Sequence, residues 1–420
     1  PGCGKSSTLN TVLSGYNGPV VATTTKTGEW EQSYVTIRAE RGPICLFDPA
    51  NKVADPHPSA RRIRFDVVQL CTSYAEARRI AWQIAEGADR NSLTAADFWI
   101  SYAQSLLGPL LFAANLDSGG IADVLSWNVA DRLDRPIEIL TDHGHEPEAA
   151  QVRAIVETDS RTRDSVLATV TALLAPFSTG DAARLSTQGH RFDPFADWIE
   201  PSGTVLLCLD PTDTAQLGLL IEIFLSWLIR ARTTLADNGW SGPSCLLGGD
   251  EIAHVCALST LPRLIGEGPG RGVSAIVCLQ DLSQAHARWG ASGDLFVTAT
   301  GNRVLFPGVT STALLNWVTP LLGRGTSRPA GFVNRNRSGF DLDDDHEPSD
   351  VENVGQVIHP GRNAAVLITP DSSVYSAQQA RAQDDPLYCQ AIAESQATLI
   401  SWSILPPAPD EREPPAGSDT

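Results

Sequence analysis

The first seven residues have the composition of a phosphate cradle. Pro1, Gly2, Cys3, Gly4, Lys5, Ser6 and Ser7 form the second half of G-x-x-x-x-G-K-[ST], whose leading glycine falls two positions before Pro1. Glycines let a backbone curl until its N–H groups point at phosphate oxygens. The helix that follows presents its positive end to the same anion. In this reading Gly2, Cys3, Gly4, Lys5, Ser6 and Ser7 bind the phosphates of ATP. Lys5 reaches the β- and γ-phosphates, and the Ser6 hydroxyl coordinates Mg²⁺. The motif also leads us to expect an earlier β-strand ahead of Pro1, so the sequence reads as part of a longer chain.

A phosphate loop needs a carboxylate beside it to hold the metal. Leu246, Leu247, Gly248 and Gly249 run into Asp250 and Glu251, an apolar strand ending in two acids. Asp250 suits the Mg²⁺ shell, and Glu251 suits a general base that polarises the attacking water. The alternative is an acidic helix start favoured by the dipole alone. The glycine pair departs from the bulky residues usual there and is expected to loosen the strand end. Gln280 closes the next apolar run. A polar side chain at the carboxyl end of a core strand lies in the crevice where open α/β sheets bind ligands. There Gln280 either senses the γ-phosphate or orients water, unless it is only a strand-ending surface amide. Arg271, between Gly270 and Gly272, is a candidate arginine finger supplied to a neighbouring subunit; a solvated turn arginine is the other reading. His143 and His145 lack a cysteine partner nearby and carry little weight as metal ligands.

These residues need a sheet to position them. The sequence predicts a helix from Lys5 to about Ser14 and a strand over Pro19–Thr25. A second strand over Gly42–Phe47 ends at Asp48 and Pro49. Strands alternating with helices point to a parallel sheet with crossover helices. From about Ser73 to Ala175 the apolar residues recur at three and four, as in Ile80, Ala81, Ile84 and then Phe98, Trp99, Tyr102, Leu106, Leu107, Leu110 and Leu111. That predicts a helical insertion, its main helix capped by Thr94 and Asp97 and the whole divided near Asp142–Pro147. Alternation resumes at Gly203–Leu209, followed by a buried crossover helix over about 215–236. Runs over Ser244–Gly249, Gly272–Leu279 and Asn302–Phe306 are expected as strands of the same sheet, and Ala364–Thr369 as a late strand. Asp341–Asp350 reads as a surface loop. The fold expected is α/β, a RecA-like P-loop NTPase domain with a mostly parallel sheet, interrupted by an all-α insertion. The divisions are 1–72 (motor, first part), 73–190 (all-α), 191–400 (motor, second part) and 401–420 (a disordered tail).

Composition sets outer limits. Of 420 residues, 42% are hydrophobic, enough for a sizeable core. Lys and Arg number 31 against 49 Asp and Glu, a formal net charge of −18, which excludes a basic coat over the whole surface as the means of holding nucleic acid. Eight cysteines, with no C-x-x-C pair, sit mostly in apolar runs and read as buried reduced thiols. No run of eighteen uncharged apolar residues occurs.

Taken in order, these motifs resemble the type IV secretion coupling proteins, the TraG/TraD-type conjugative DNA-transfer ATPases of the FtsK/HerA superfamily. Val20–Lys26 followed by Phe47, Asp48 and Pro49 looks like the family's early strands. Phe98, Trp99, Leu106, Leu107, Leu110, Leu111, Ala113 and Ala114 look like its all-α domain. Closest is the block after the acidic pair: Asp250–Ala253, Leu261, Pro262, Gly270–Gly272, Gln280, Gln284, Arg288–Gly290 and Leu321–Gly323. The resemblance implies a homohexameric ring at the cytoplasmic face of the inner membrane, anchored through an N-terminal segment. It implies a relaxase-bound single strand of DNA as cargo and type IV secretion channel components as partners. Two rivals stay open: an FtsK/HerA-type pump for double-stranded DNA, and a non-hydrolysing docking receptor whose acidic surface binds basic secreted proteins.

Overall fold

The computed structural model describes residues 4–25, 34–86, 96–209, 214–250, 252–255, 258–308 and 311–322, with short pieces at 349–350, 357, 364–370, 372, 374–378 and 390. Helix α1 (Lys5–Gly15) leads into β1 (Val20–Thr24), a short α2 (Val35–Ala39), β2 (Ile44–Phe47) and β3 (Ala60–Arg64). Seven helices follow: α3 (Tyr74–Glu86), α4 (Ala96–Leu116), α5 (Ile121–Val129), α6 (Asp134–Asp142), α7 (Glu146–Val156), α8 (Ser160–Leu174) and α9 (Gly180–Thr187). The chain then returns to the sheet through β4 (His190–Arg191) and β5 (Thr204–Cys208). After them come α10 (Thr214–Asp237), β6 (Cys245–Gly249), α11 (Ile252–Val255), α12 (Leu261–Glu267), β7 (Val273–Val277) and α13 (Leu282–Trp289).

β1 to β7 form one parallel sheet in the order β4-β3-β2-β5-β1-β6-β7, so the expected α/β fold with an inserted all-α region is what the chain adopts. The central strands β1, β2, β5 and β6 are buried along their whole length because both faces are covered. On one, Val20, Ala22, Ile44, Leu46, Leu206 and Leu246 pack against Leu9 and Leu13 of α1. On the other, Val21, Phe47, Val205 and Leu207 pack against α10 and the inserted helices. Phe224 of α10 stacks on Phe47 with ring centroids 3.9 Å apart.

The insertion is bolted to the sheet by polar contacts as well as core. Asp66, after β3, accepts from the N–H groups of Val68 (2.9 Å) and Ile121 (3.2 Å); burial pushes its carboxyl above the usual range despite those bonds. Asn115 Nδ2 donates to the Val68 carbonyl at 2.9 Å. Arg184 of α9 donates to the carbonyls of Asp48 and Pro49, both at 2.9 Å. The break expected near Asp142–Pro147 is the turn between α6 and α7.

Other expectations are corrected. The strand over Arg303–Leu305 (β8) lies in a second, antiparallel sheet, in the order β8-β10-β11-β9, with β9 (Ser349–Asp350), β10 (Ala364–Ile368) and β11 (Val374–Gln378). An apolar run marks burial but not the neighbour it pairs with. Part of the predicted acidic loop is therefore strand; residues 341–348 lie outside the described residues, as do Thr94 and the tail from 401. The glycine pair does not loosen β6. Gly248 and Gly249 are buried and in register with Ala22 and Thr23 of β1 and with Ile276 and Val277 of β7. A Cβ on Gly248 would lie 2.4 Å from Leu13 Cδ1, and one on Gly249 1.9 Å from Ile252 Cδ1. The glycines let α1 and α11 sit close on the strand.

Among the described residues, Cys45, Cys71, Cys208 and Cys245 are buried thiols outside any disulfide, and Cys278 is a half-buried one. Burial pushes the Cys45 and Cys245 thiols up to about 12, which makes them poor nucleophiles. No single helix among the described residues is long and apolar enough to cross a membrane.

Candidate functional site

The carboxyl ends of β6 and β7 converge on the first turn of α1. Gly4 caps that helix at φ 94° and ψ 0°, a left-handed conformation that favours glycine. Its carbonyl accepts the Thr8 N–H at 2.9 Å, so the helix begins there. Lys5 and Ser6 follow on the first turn. The Ser6 hydroxyl donates to Asp250 Oδ2 at 2.6 Å, across 244 positions of sequence. The Lys5 ammonium donates to the Leu279 carbonyl at 3.1 Å, just past β7. Sequence alone placed Lys5, Ser6 and Asp250 in one site, and the structure brings them together. Ser7, next on α1, is half-buried and its carbonyl accepts the Thr11 hydroxyl at 2.8 Å.

The donor set fits Mg²⁺. A serine hydroxyl and an aspartate carboxylate are hard oxygen ligands already within hydrogen-bond distance of each other. Ser6 and Asp250 would hold the ion, which would neutralise charge developing on a transferring phosphoryl group. Gly2, Cys3 and Glu251 lie outside the described residues.

Gln280 is exposed at the end of the β7 run, on the same side of the sheet as Lys5 and Asp250. Its N–H donates to Gln284 Oε1 at 3.2 Å. Asp281 caps α13 by accepting the Ser283 N–H at 2.7 Å, and hydrogen bonds from Ser283 hold its carboxyl below the usual range. Arg271 stands apart from this group. It precedes β7, at the amino end of the strand, so the whole strand, about 16 Å long, lies between it and the site. Its guanidinium pairs with Asp237 at the end of α10, with Nε 3.2 Å from Oδ1. That hydrogen bond raises the arginine's pKa further.

Two contacts could not be read from residue types. Leu279 contributes a main-chain carbonyl, which any residue would supply. Gln284 entered only through the family block, and the structure gives it a bond. Asp48, another residue of the resemblance, is a buried structural acid: it accepts from the N–H groups of Lys52 (2.8 Å) and Val53 (2.9 Å) and from Arg62 Nη1 at 2.9 Å.

A parallel sheet with a lysine and a serine opening a helix, an aspartate at the end of a core strand beside them, and a helical insertion is the arrangement of a RecA-like P-loop fold. Residues 245–353 match the family model described as the TraM recognition site of TraD and TraG. Among solved structures, the bacterial conjugative coupling protein TrwBdeltaN70 in complex with sulphate superposes with a TM-score of 0.58 at 14% identity, covering 90% of this chain and 83% of that one. Its unbound monoclinic form gives 0.53 at 12% identity, over 90% and 86%. The plasmid coupling protein TrwB with ADP and Mg²⁺ gives 0.52 at 12%, over 86% and 84%. A comparison with curated proteins finds no match. The chain is TrwB-like in fold and TraG/TraD-like over residues 245–353.

Proposed function

We propose that the protein is an ATP-hydrolysing coupling protein of the TraG/TraD conjugative type, which moves relaxase-bound single-stranded DNA to a type IV secretion channel. The observation that carries this reading is the 2.6 Å contact from Ser6 to Asp250 beside the Lys5 ammonium. That is the metal and phosphate side of a P-loop hydrolase. The TrwB structure with ADP and Mg²⁺ supports nucleotide binding by the same fold. The helical insertion between the early strands favours a coupling protein over a duplex pump. The match over 245–353 supports recruitment of a TraM-like conjugation partner by that segment.

In this reading Glu251 activates the attacking water and Gln280 senses the γ-phosphate. Arg271 lies at the far end of β7 from the chain's own site, so a finger role is confined to a neighbouring subunit's nucleotide and requires it to leave Asp237. We place the protein as a hexamer at the cytoplasmic face of the inner membrane, held by an N-terminal anchor. With a net charge of −18, DNA contacts belong to loops lining the ring's channel or to a partner protein.

Glu251→Gln separates binding from chemistry. ATP affinity is expected to stay within about twofold of the wild type, while turnover falls on the order of 10²-fold, the lower end for general-base removal. Nucleotide titration and steady-state hydrolysis measure the two quantities. Wild-type turnover in this variant removes Glu251 from the mechanism.

A further inference from the structure

The Leu279 carbonyl and the Gln280 N–H belong to one peptide group, rigid and planar. Each pole of that group is held by a different element. Lys5 Nζ, on the phosphate-loop helix, donates to its oxygen at 3.1 Å. Gln284 Oε1, in the first turn of α13, accepts from its nitrogen at 3.2 Å. A planar group gripped at both poles cannot rotate about the chain without breaking one of the two bonds.

Gln284 is itself well anchored. Asp281 caps α13 at one end. At the other, Trp289 Nε1 donates to the Leu258 carbonyl at 3.0 Å, and its ring lies against Phe296 with centroids 4.8 Å apart. Ala285, next to Gln284, is fully buried. Leu258 follows the α11 segment that begins just after Asp250 and Glu251. α13 therefore spans from the turn beyond β7 to the stretch beyond β6.

We infer that Gln284 is a positioning residue for nucleotide turnover: its side-chain oxygen fixes the Leu279–Gln280 peptide, and with it both the docking point of Lys5 and the backbone that carries Gln280. This rests on the P-loop reading of the site. The requirement is for an acceptor at Oε1. Glutamate supplies one in the same place, and leucine fills similar space with none. Losing one such bond to the backbone of a reacting site is worth about a factor of ten in rate.

Three measurements on Gln284→Leu and Gln284→Glu test this: kcat for ATP, nucleotide Kd, and amide hydrogen exchange at Gln280. In the leucine variant kcat is expected to fall about tenfold with Kd within about twofold, and the Gln280 amide to exchange faster. The glutamate variant is expected to retain both the rate and the protection. Wild-type kcat with unchanged Gln280 exchange in the leucine variant overturns the inference. So does an equal loss in both variants, or a parallel loss of Kd and kcat, which marks general damage. If the wild-type protein turns over no ATP, the hydrolase reading fails, and Gln280 exchange in the two variants still decides whether Gln284 holds the peptide.

Discussion

Lys5→Ala is expected to abolish measurable ATP turnover, lowering it by at least on the order of 10²-fold. Removing one preorganised positive or hydrogen-bonding group from a developing oxyanion costs about that much where it has been isolated. Here two things are lost together. The ammonium leaves the phosphate side of the site, and the Leu279 carbonyl loses the donor that ties α1 to the end of β7. The fold is expected to survive, because alanine is a strong helix former and Lys5 sits at the first turn of α1, outside the core clusters. Lys5→Arg is expected to rescue little, since a planar guanidinium fork does not replace a compact ammonium at a tight loop. Steady-state hydrolysis, with circular dichroism as the folding control, measures the effect. Turnover within about twofold of wild type would remove Lys5 from the site.

The second large effect is on stability and concerns Arg38, away from the site. Its side chain is fully buried between α1, β1 and β5. Nε donates to Thr204 Oγ1 at 2.8 Å. Nη1 donates to the Tyr16 carbonyl at 2.5 Å, and Nη2 to the carbonyls of Gly18 (3.0 Å) and Ser202 (3.2 Å). One guanidinium thus gathers the turn before β1 and the turn before β5, fixing adjacent strands at their starts. Arg38→Leu would leave the Tyr16, Gly18 and Ser202 carbonyls without that donor, each costing about 1–3 kcal/mol when buried and unpaired. A loss of about 3 kcal/mol or more is expected, seen as a lower denaturant midpoint. Arg38→Lys is expected to recover only part, because one ammonium cannot span acceptors on both turns. An unchanged midpoint in Arg38→Leu would show that water satisfies those carbonyls in its place.

Arg38 also shows where sequence reading stops. A charged residue on a short polar stretch reads as surface, and nothing local says that two turns will close over it. β3 was hidden for a similar reason: Arg61, Arg62 and Arg64 mask the apolar signal of Ile63, yet Arg62 is drawn in by the buried Asp48. That Lys5 and Ser6 would open a helix beside Asp250 was legible because the motif is local and its spacing fixed. Asp250 was legible because an apolar strand ending in an acid is rare without cause. The sense of Gly248 and Gly249 was not: a small residue looks like weakness until Leu13 and Ile252 are seen to fill the space. Arg271 was chosen by its glycine neighbours, and only the topology puts it at the opposite end of its strand from Gln280.

ATP hydrolysis with Mg²⁺, measured without DNA, with single-stranded DNA and with duplex, bears most directly on the central claim. The account predicts turnover that rises more with the single strand than with the duplex and that vanishes in Lys5→Ala. Stronger stimulation by duplex would indicate a double-stranded DNA pump. ATP bound without turnover under all three conditions would contradict the motor and leave a nucleotide-binding docking receptor.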